Sequence, residues 1–425
     1  MGIPVKLKCQ RIRLSGSISC RERVSEIVRV RRVQFSPALK NRLKLSCKGS
    51  PDTQVSTNSV EADSETCDLP LGTVVEFQEA AESTLPGLSY RYYSYKAGQG
   101  VTSREARRFL DSLRFKPRIL RGLENVSTST TILGQEVDSP LIIAPSAFHK
   151  FACAEGEAAT SGAAGSANIL YCYNWMLAQV GYEKVVQNPG PKWLHLYIAK
   201  DRAFVIRCLR QAEATGAFSA IIVTCDHPHS RARDYMIPDF RANRDKQPEA
   251  LGRERKLANI NIEDFENDSS LSWSDITWLK SITPLPIVVK GVMCVEDATL
   301  ALSHGAAAVV VSNHGNRQLD GAPPAIEVLP EVVEAVGEHI EVYVDGGIQS
   351  GGDVIKALAL GARGVLLGRP ALWGLAQVSD LIVEAVQISD MYAASTQAEF
   401  TPSCSTPKME LQPFSWRTTF SQLNG

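Results

Sequence analysis

Between residues 141 and 367 the chain repeats one texture: a short apolar run, a polar or glycine-rich turn, then a stretch with helical spacing. The apolar runs are 141–144, 169–173, 193–198, 220–224, 287–289, 307–311, 342–344 and 365–367, eight in all. They are short and lack strict polar alternation, which predicts strands buried on both faces, as in a parallel sheet. Helical periodicity appears between them, for instance over 155–167, 201–214, 295–303 and 352–360. Eight alternating units predict an α/β fold of the (β/α)8 TIM-barrel type, with an open doubly wound sheet as the alternative.

The texture sets the expected boundaries. The barrel domain is placed over residues 85–390. Residues 1–84 read as an extension, basic and then acidic: 1–48 carry 13 Lys/Arg against Glu22 and Glu26, and 51–71 are acidic and rich in Ser and Thr. Such a segment is a disordered or artefactual extension or an organelle-targeting sequence. Residues 391–425 mix Ser, Thr, Pro and Gln and are expected to be a disordered tail without core. Residues 240–271 are a long polar segment between the fourth and fifth runs, read as a lid or a disordered loop.

Composition narrows the partners. At 425 residues there is room for one large domain plus appendages, and a net charge of −1 gives no reason to expect nucleic acid or anionic membrane as a partner. No apolar run approaches the roughly 20 residues that span a bilayer. The 10 cysteines form no CxxC pair, so neither a disulfide framework nor a metal site is expected. The expected location is cytoplasmic or mitochondrial, because no Ser-Lys-Leu peroxisomal address closes the sequence.

A barrel builds its site where the strands end. The run ends here carry Pro145, Ser146 and Ala147; Trp175; Tyr197; Thr224 with Asp226; Lys290; Ser312, Asn313 and His314; Asp345, Gly346 and Gly347; Gly368 and Arg369. Glycines after the seventh and eighth strands let backbone N–H groups approach an anion, and Arg369 can pair with it, so a phosphate-bearing ligand is expected. Lys290 ends a buried run, where a lysine more often snorkels than reacts, yet beside a cofactor it can stabilise negative charge on a reduced ring. A lone histidine is usually structural. His314, after an apolar strand and three residues before Arg317, is a better candidate base. Asp226 can orient that imidazole, and Arg233 with Arg317 can grip a substrate carboxylate; a surface ion-pair network is the bland alternative.

With these residues assembled, the sequence resembles the FMN-dependent alpha-hydroxy acid dehydrogenase family, which includes glycolate oxidase, lactate oxidase and the flavin domain of flavocytochrome b2. The likeness runs from about Leu85 to Ala376. It covers Tyr92-Tyr93, the Phe115-Lys116-Pro117-Arg118 stretch, Glu155-Gly156-Glu157, Leu196-Tyr197, Val289-Lys290-Gly291, the highly specific SNHGNRQLD string at 312–320, Asp345-Gly346-Gly347 and Gly368-Arg369-Pro370. The resemblance implies FMN as cofactor and oxidation of a small L-2-hydroxy acid to the 2-oxo acid, with oxygen or another acceptor reoxidising the flavin. It implies His314 as the base, supported by Asp226, with a hydride equivalent passing to flavin N5. Tyr92, Tyr197, Arg233 and Arg317 are implied to bind substrate. Pro145, Ser146, Ala147, Thr224, Lys290 and Ser312 are implied to lie along the flavin, and Asp345, Gly346, Gly347, Gly368 and Arg369 around its ribityl phosphate. A homo-oligomer is implied as well.

The chain departs from that family at informative positions. His195 stands where a glutamine usually bonds the flavin edge, and Gln349 and Ser350 stand where arginines usually meet the phosphate. Loss of one charge-assisted contact weakens binding by roughly 1.5 to 3 kcal/mol, or about ten- to a hundredfold. The spacing around Trp175 is shifted, and after residue 376 the closing helix of the barrel is expected to be curtailed. A catalytically degenerate FMN-barrel flavoprotein with a binding or regulatory role is therefore the alternative. A fused b5-type haem domain ahead of the barrel is not expected, since residues 1–148 contain no histidine.

Overall fold

The computed structural model describes residues 72–117, 120, 127–227, 259, 267–377 and 398–400, all within the compact unit Leu69–Gly425. Residues 1–71 of the expected extension 1–84, Arg233, most of 240–271, and residues 378–397 and 401–425 lie outside the described residues.

The eight apolar runs form eight strands: β1 (Leu141–Ile143), β2 (Leu170–Asn174), β3 (Lys192–Leu196), β4 (Ala220–Thr224), β5 (Ile287–Val292), β6 (Ala308–Val311), β7 (Glu341–Asp345) and β8 (Gly364–Leu367). Each pairs in parallel with the next, and Val365 of β8 sits opposite Leu141 of β1, which closes the barrel. The four helical patterns become Glu157–Ser166, Arg202–Ala214, Val295–Ser303 and Gly351–Ala359. The fold is a (β/α)8 TIM barrel.

Strand alternation explains what fills it. Outward residues such as Ile221, Val223, Val289 and Val309 join the helix-packed core. Inward residues Ile142, Leu170, Cys172, Trp193, Ala220, Ile222, Val288, Ala308, Val310, Tyr343 and Leu366 fill the barrel, with the Trp193 and Tyr343 rings in edge contact, 5.5 Å between centroids. A hairpin, Thr130–Ile132 with Gln135–Val137, contributes Ile132 and Val137 to this interior cluster. One more step of two along the strands gives Asn174, His195, Thr224, Lys290, Ser312 and Asp345. All six are buried. The polar site is thus the next layer of the same stack.

Two described elements lie outside the residues 85–390 expected for the barrel. The ordered fold begins before residue 85: α1 (Val74–Thr84) buries Val74, Phe77 and Ala81 in the main core and is started by a Thr73–Glu76 capping box. Three buried apolar positions among three glutamates and one glutamine are too faint a stripe to stand out from an acidic extension. At the other end, Ala398–Phe400, within the stretch read as a tail, pairs antiparallel with Phe115–Pro117. Three residues are too few to show a period.

Candidate active site

After α1 come α2 (Gly87–Ser94) and α3 (Val101–Ser112), which with their connection line one cleft together with the strand ends. Its walls include Tyr92, Pro145, Ser146, Ala147, Tyr197, Thr224, Lys290, His314, Arg317, Asp345, Gly346, Gly347, Gln349, Gly368 and Arg369. Most sequence-predicted site residues therefore share one cavity. Asp226, Ser312 and His195 stand behind its wall, and Arg233 is not described.

His314 Nδ1 lies 2.7 Å from Asp226 Oδ1. A carboxylate only accepts, so Nδ1 carries the hydrogen and Nε2 keeps the lone pair. Asp226 reaches this position because Gly291 gives way: a Cβ there would come within 2.7 Å of Asp226 Cβ, and Gly291 has φ +115°. The register of β5 against β6 shifts between Lys290 and Val292 at the same place, a bulge of the kind that re-aims side chains beside active sites. His314 itself is left-handed, φ 61°, as is Asn316, φ 64°. Such strain costs about 1–3 kcal/mol per non-glycine residue and is kept where the surroundings enforce it. Here Ser312 Oγ accepts from His314 N at 3.0 Å, Asn313 Oδ1 from Asn316 N at 2.8 Å, and Gly315 O from Arg369 at 2.6 Å.

Lys290 is buried, with Nζ 2.8 Å from Ser312 Oγ and 3.0 Å from Asp345 Oδ2. Burial alone would lower the ammonium pKa; the Asp345 and Asp226 carboxylates outweigh it and raise it, so the cation persists. Arg317 donates from both terminal nitrogens to the backbone carbonyls of Tyr92, Tyr93 and Tyr95, and its guanidinium lies over the rings of Tyr92 and Tyr95, 5.4 Å from each. The expected fork toward a substrate carboxylate is thus engaged with the end of α2. Its charge still faces the cleft.

His195 does not line the cleft. Its Nε2 is 2.8 Å from Thr224 Oγ1, while its buried Nδ1 has no protein partner among the described residues. Burial, reinforced by the nearby Lys290 and His314, pushes its pKa well below the usual 6.5, and burial lowers that of His149 as well. Burial therefore favours the neutral imidazole at both positions in the folded chain. The unfolded chain takes up protons as pH falls through 6.5 while the folded one does not, so stability should decline below that pH. Thermal melts between pH 5 and 7 should show it, and His195→Gln should flatten the decline. An unchanged slope in that variant would assign the effect elsewhere.

Trp175 turns away from the cleft and stacks on Tyr182 with centroids 4.6 Å apart, so Asn174 and Leu177 form that wall. Sequence reasoning also missed Lys96, Ser103 and Arg107, which line the cleft from the α2–α3 region. Only the alternation within β2 could have found Asn174, and nothing local marked Leu177.

A family model described as FMN-dependent dehydrogenase matches residues 81–387. The chain belongs to that family. Glycolate oxidase of Spinacia oleracea is 40% identical over 328 residues, covering 75% of this chain and 88% of the relative. 2-Hydroxyacid oxidase 2 of Rattus norvegicus is 39% identical over 321 residues, covering 72% of this chain and 88% of the relative. Among solved structures, mandelate oxidase with 3,3-difluoro-2-hydroxy-3-phenylpropionic acid superposes with a TM-score of 0.66 at 35% identity, covering 76% of this chain and 93% of that one. Mandelate oxidase with (S)-2-phenylpropionate gives 0.67 at 34%, covering 77% and 94%.

The cofactor of an FMN-dependent dehydrogenase fits this cleft. Gly346 and Gly347, at φ 93° and 80°, open the backbone after β7, and a Cβ on Gly347 would press on Ala106 of α3 at 3.1 Å. Buried Asp345 Oδ1 has no protein partner among the described residues and is an acceptor suited to a ribityl hydroxyl. Lys290 and Thr224 offer donors at one end of the cleft, and Arg369 a cation.

Proposed function

We propose that the chain oxidises a small L-2-hydroxy acid to the 2-oxo acid with FMN, passing the electrons to oxygen. The observation that carries the mechanism is the His314–Asp226 pair at 2.7 Å beside the cleft. Bound FMN supplies a two-electron acceptor. His314 takes a proton from the substrate on Nε2, and the imidazolium so formed is stabilised by Asp226. Tyr92 and Tyr197 present hydroxyl groups to the substrate, Arg317 contributes positive charge near its carboxylate, and Lys290 would hold a positive charge beside the bound cofactor. The sum is hydroxy acid plus oxygen giving oxo acid plus hydrogen peroxide, which balances protons and electrons. The oxidase names of the relatives support oxygen as acceptor.

The test is aerobic turnover of the FMN-loaded protein with glycolate, L-lactate and (S)-mandelate. One of them should yield equal amounts of oxo acid and peroxide. Oxo acid without peroxide would move the electrons to another acceptor, and no oxo acid from any of them would refute the reading.

A further inference from the structure

The loop after β7 carries Gln349 at a position where the family supplies an arginine to the phosphate, and the neighbouring cation is committed elsewhere. Arg107 of α3 is held by both oxygens of buried Asp353, at 2.7 and 2.9 Å. Asp353 also accepts from Gln349 N at 3.0 Å, and its pair with Arg107 raises the arginine pKa further. Arg107 is thus neutralised by a carboxylate that also braces the loop.

Lys96 is placed differently. It sits between α2 and α3 and lines the same cleft as Gly347, Gln349 and Arg369. Among the described residues no carboxylate acts on its ammonium; the charges that reach it are those of Arg369 and Arg104. Its aliphatic stem lies along Gly100, where a Cβ would be 3.6 Å from Lys96 Cδ and 3.7 Å from Arg104 Nη1. Desolvation, then the charges of Arg369 and Arg104, lower its pKa. Lys96 and Arg369 thus bring two like charges to one cleft, with Arg104 adding a third influence on Lys96, a field that a doubly charged anion relieves.

We propose that Lys96, which lines the same cleft as Arg369, Gly346 and Gly347, supplies the phosphate cation that Gln349 does not, and so completes the FMN site. This rests on FMN as the cofactor. Lys96 is exposed, so solvent screens the contact, and its loss should weaken FMN binding on the order of tenfold, the low end for charge-assisted contacts.

The experiment titrates flavin-stripped protein with FMN and, separately, with riboflavin, which keeps the ring and ribityl chain but lacks the phosphate. Quenching of flavin fluorescence gives both affinities. Lys96→Ala should lose about tenfold for FMN and leave riboflavin unchanged, and Lys96→Arg should retain FMN. Equal losses for both ligands would make Lys96 a structural residue and overturn the proposal, as would an unchanged FMN affinity. Failure of the unmutated chain to bind FMN would overturn the cofactor assignment itself, and is told apart because no variant is needed to see it.

Discussion

His314→Ala should keep its flavin colour and lose substrate-driven flavin reduction by roughly a hundred- to ten-thousandfold, the range for removing a positioned general base. The colour should survive because the cofactor fit rests on other residues: Lys290, Asp345, the glycines after β7 and Arg369. Asp226→Asn should act in the same direction. An amide can hold the ring only through a different hydrogen-bond arrangement and cannot balance the imidazolium charge. Stopped-flow reduction under saturating substrate separates this from weakened binding, which would change the substrate concentration needed but not the limiting rate. A His314→Ala variant reduced at the unmutated rate would remove the base from the mechanism.

The second large effect concerns the support beneath the cleft. Lys290→Met would leave the buried Asp345 carboxyl without its 3.0 Å cation. Breaking a buried pair from one side costs about 3–5 kcal/mol, more than most single core changes. Denaturant titration of the flavin-free protein should show that loss. Adding Asp345→Asn should recover part of it, since the second change removes the stranded carboxyl. If Lys290→Met alone cost less than about 1 kcal/mol, solvent must reach the pair and its structural role would be small.

The two positions also show what a sequence can and cannot say. Every barrel strand was legible, because a parallel strand buried on both faces must be apolar at successive positions. Thr224, Lys290 and Ser312 were legible as strand-end residues for the same reason: each breaks an apolar run. The partnership of Lys290 with Asp345 was not, since it joins β5 to β7 past the intervening β6 and leaves no mark in local spacing. Trp175 misled because an aromatic at a strand end suggests a site, whereas local geometry after β2 turns it onto Tyr182. Lys96 was missed because the α2–α3 connection is glycine-rich and without period. Arg317 was found, but its bonds to the carbonyls of Tyr92, Tyr93 and Tyr95 could not be foreseen from spacing. Pattern reveals layers; it does not reveal which groups meet across them.

The most direct measurement is anaerobic mixing of the FMN-loaded protein with separate enantiomers of glycolate-, lactate- and mandelate-type acids, followed by flavin absorbance. Bleaching by an L-2-hydroxy acid, with formation of one 2-oxo acid per flavin and loss of the reaction in His314→Ala, is the predicted result. A protein that holds FMN yet is bleached by none of these acids, or is bleached equally well without His314, would contradict it.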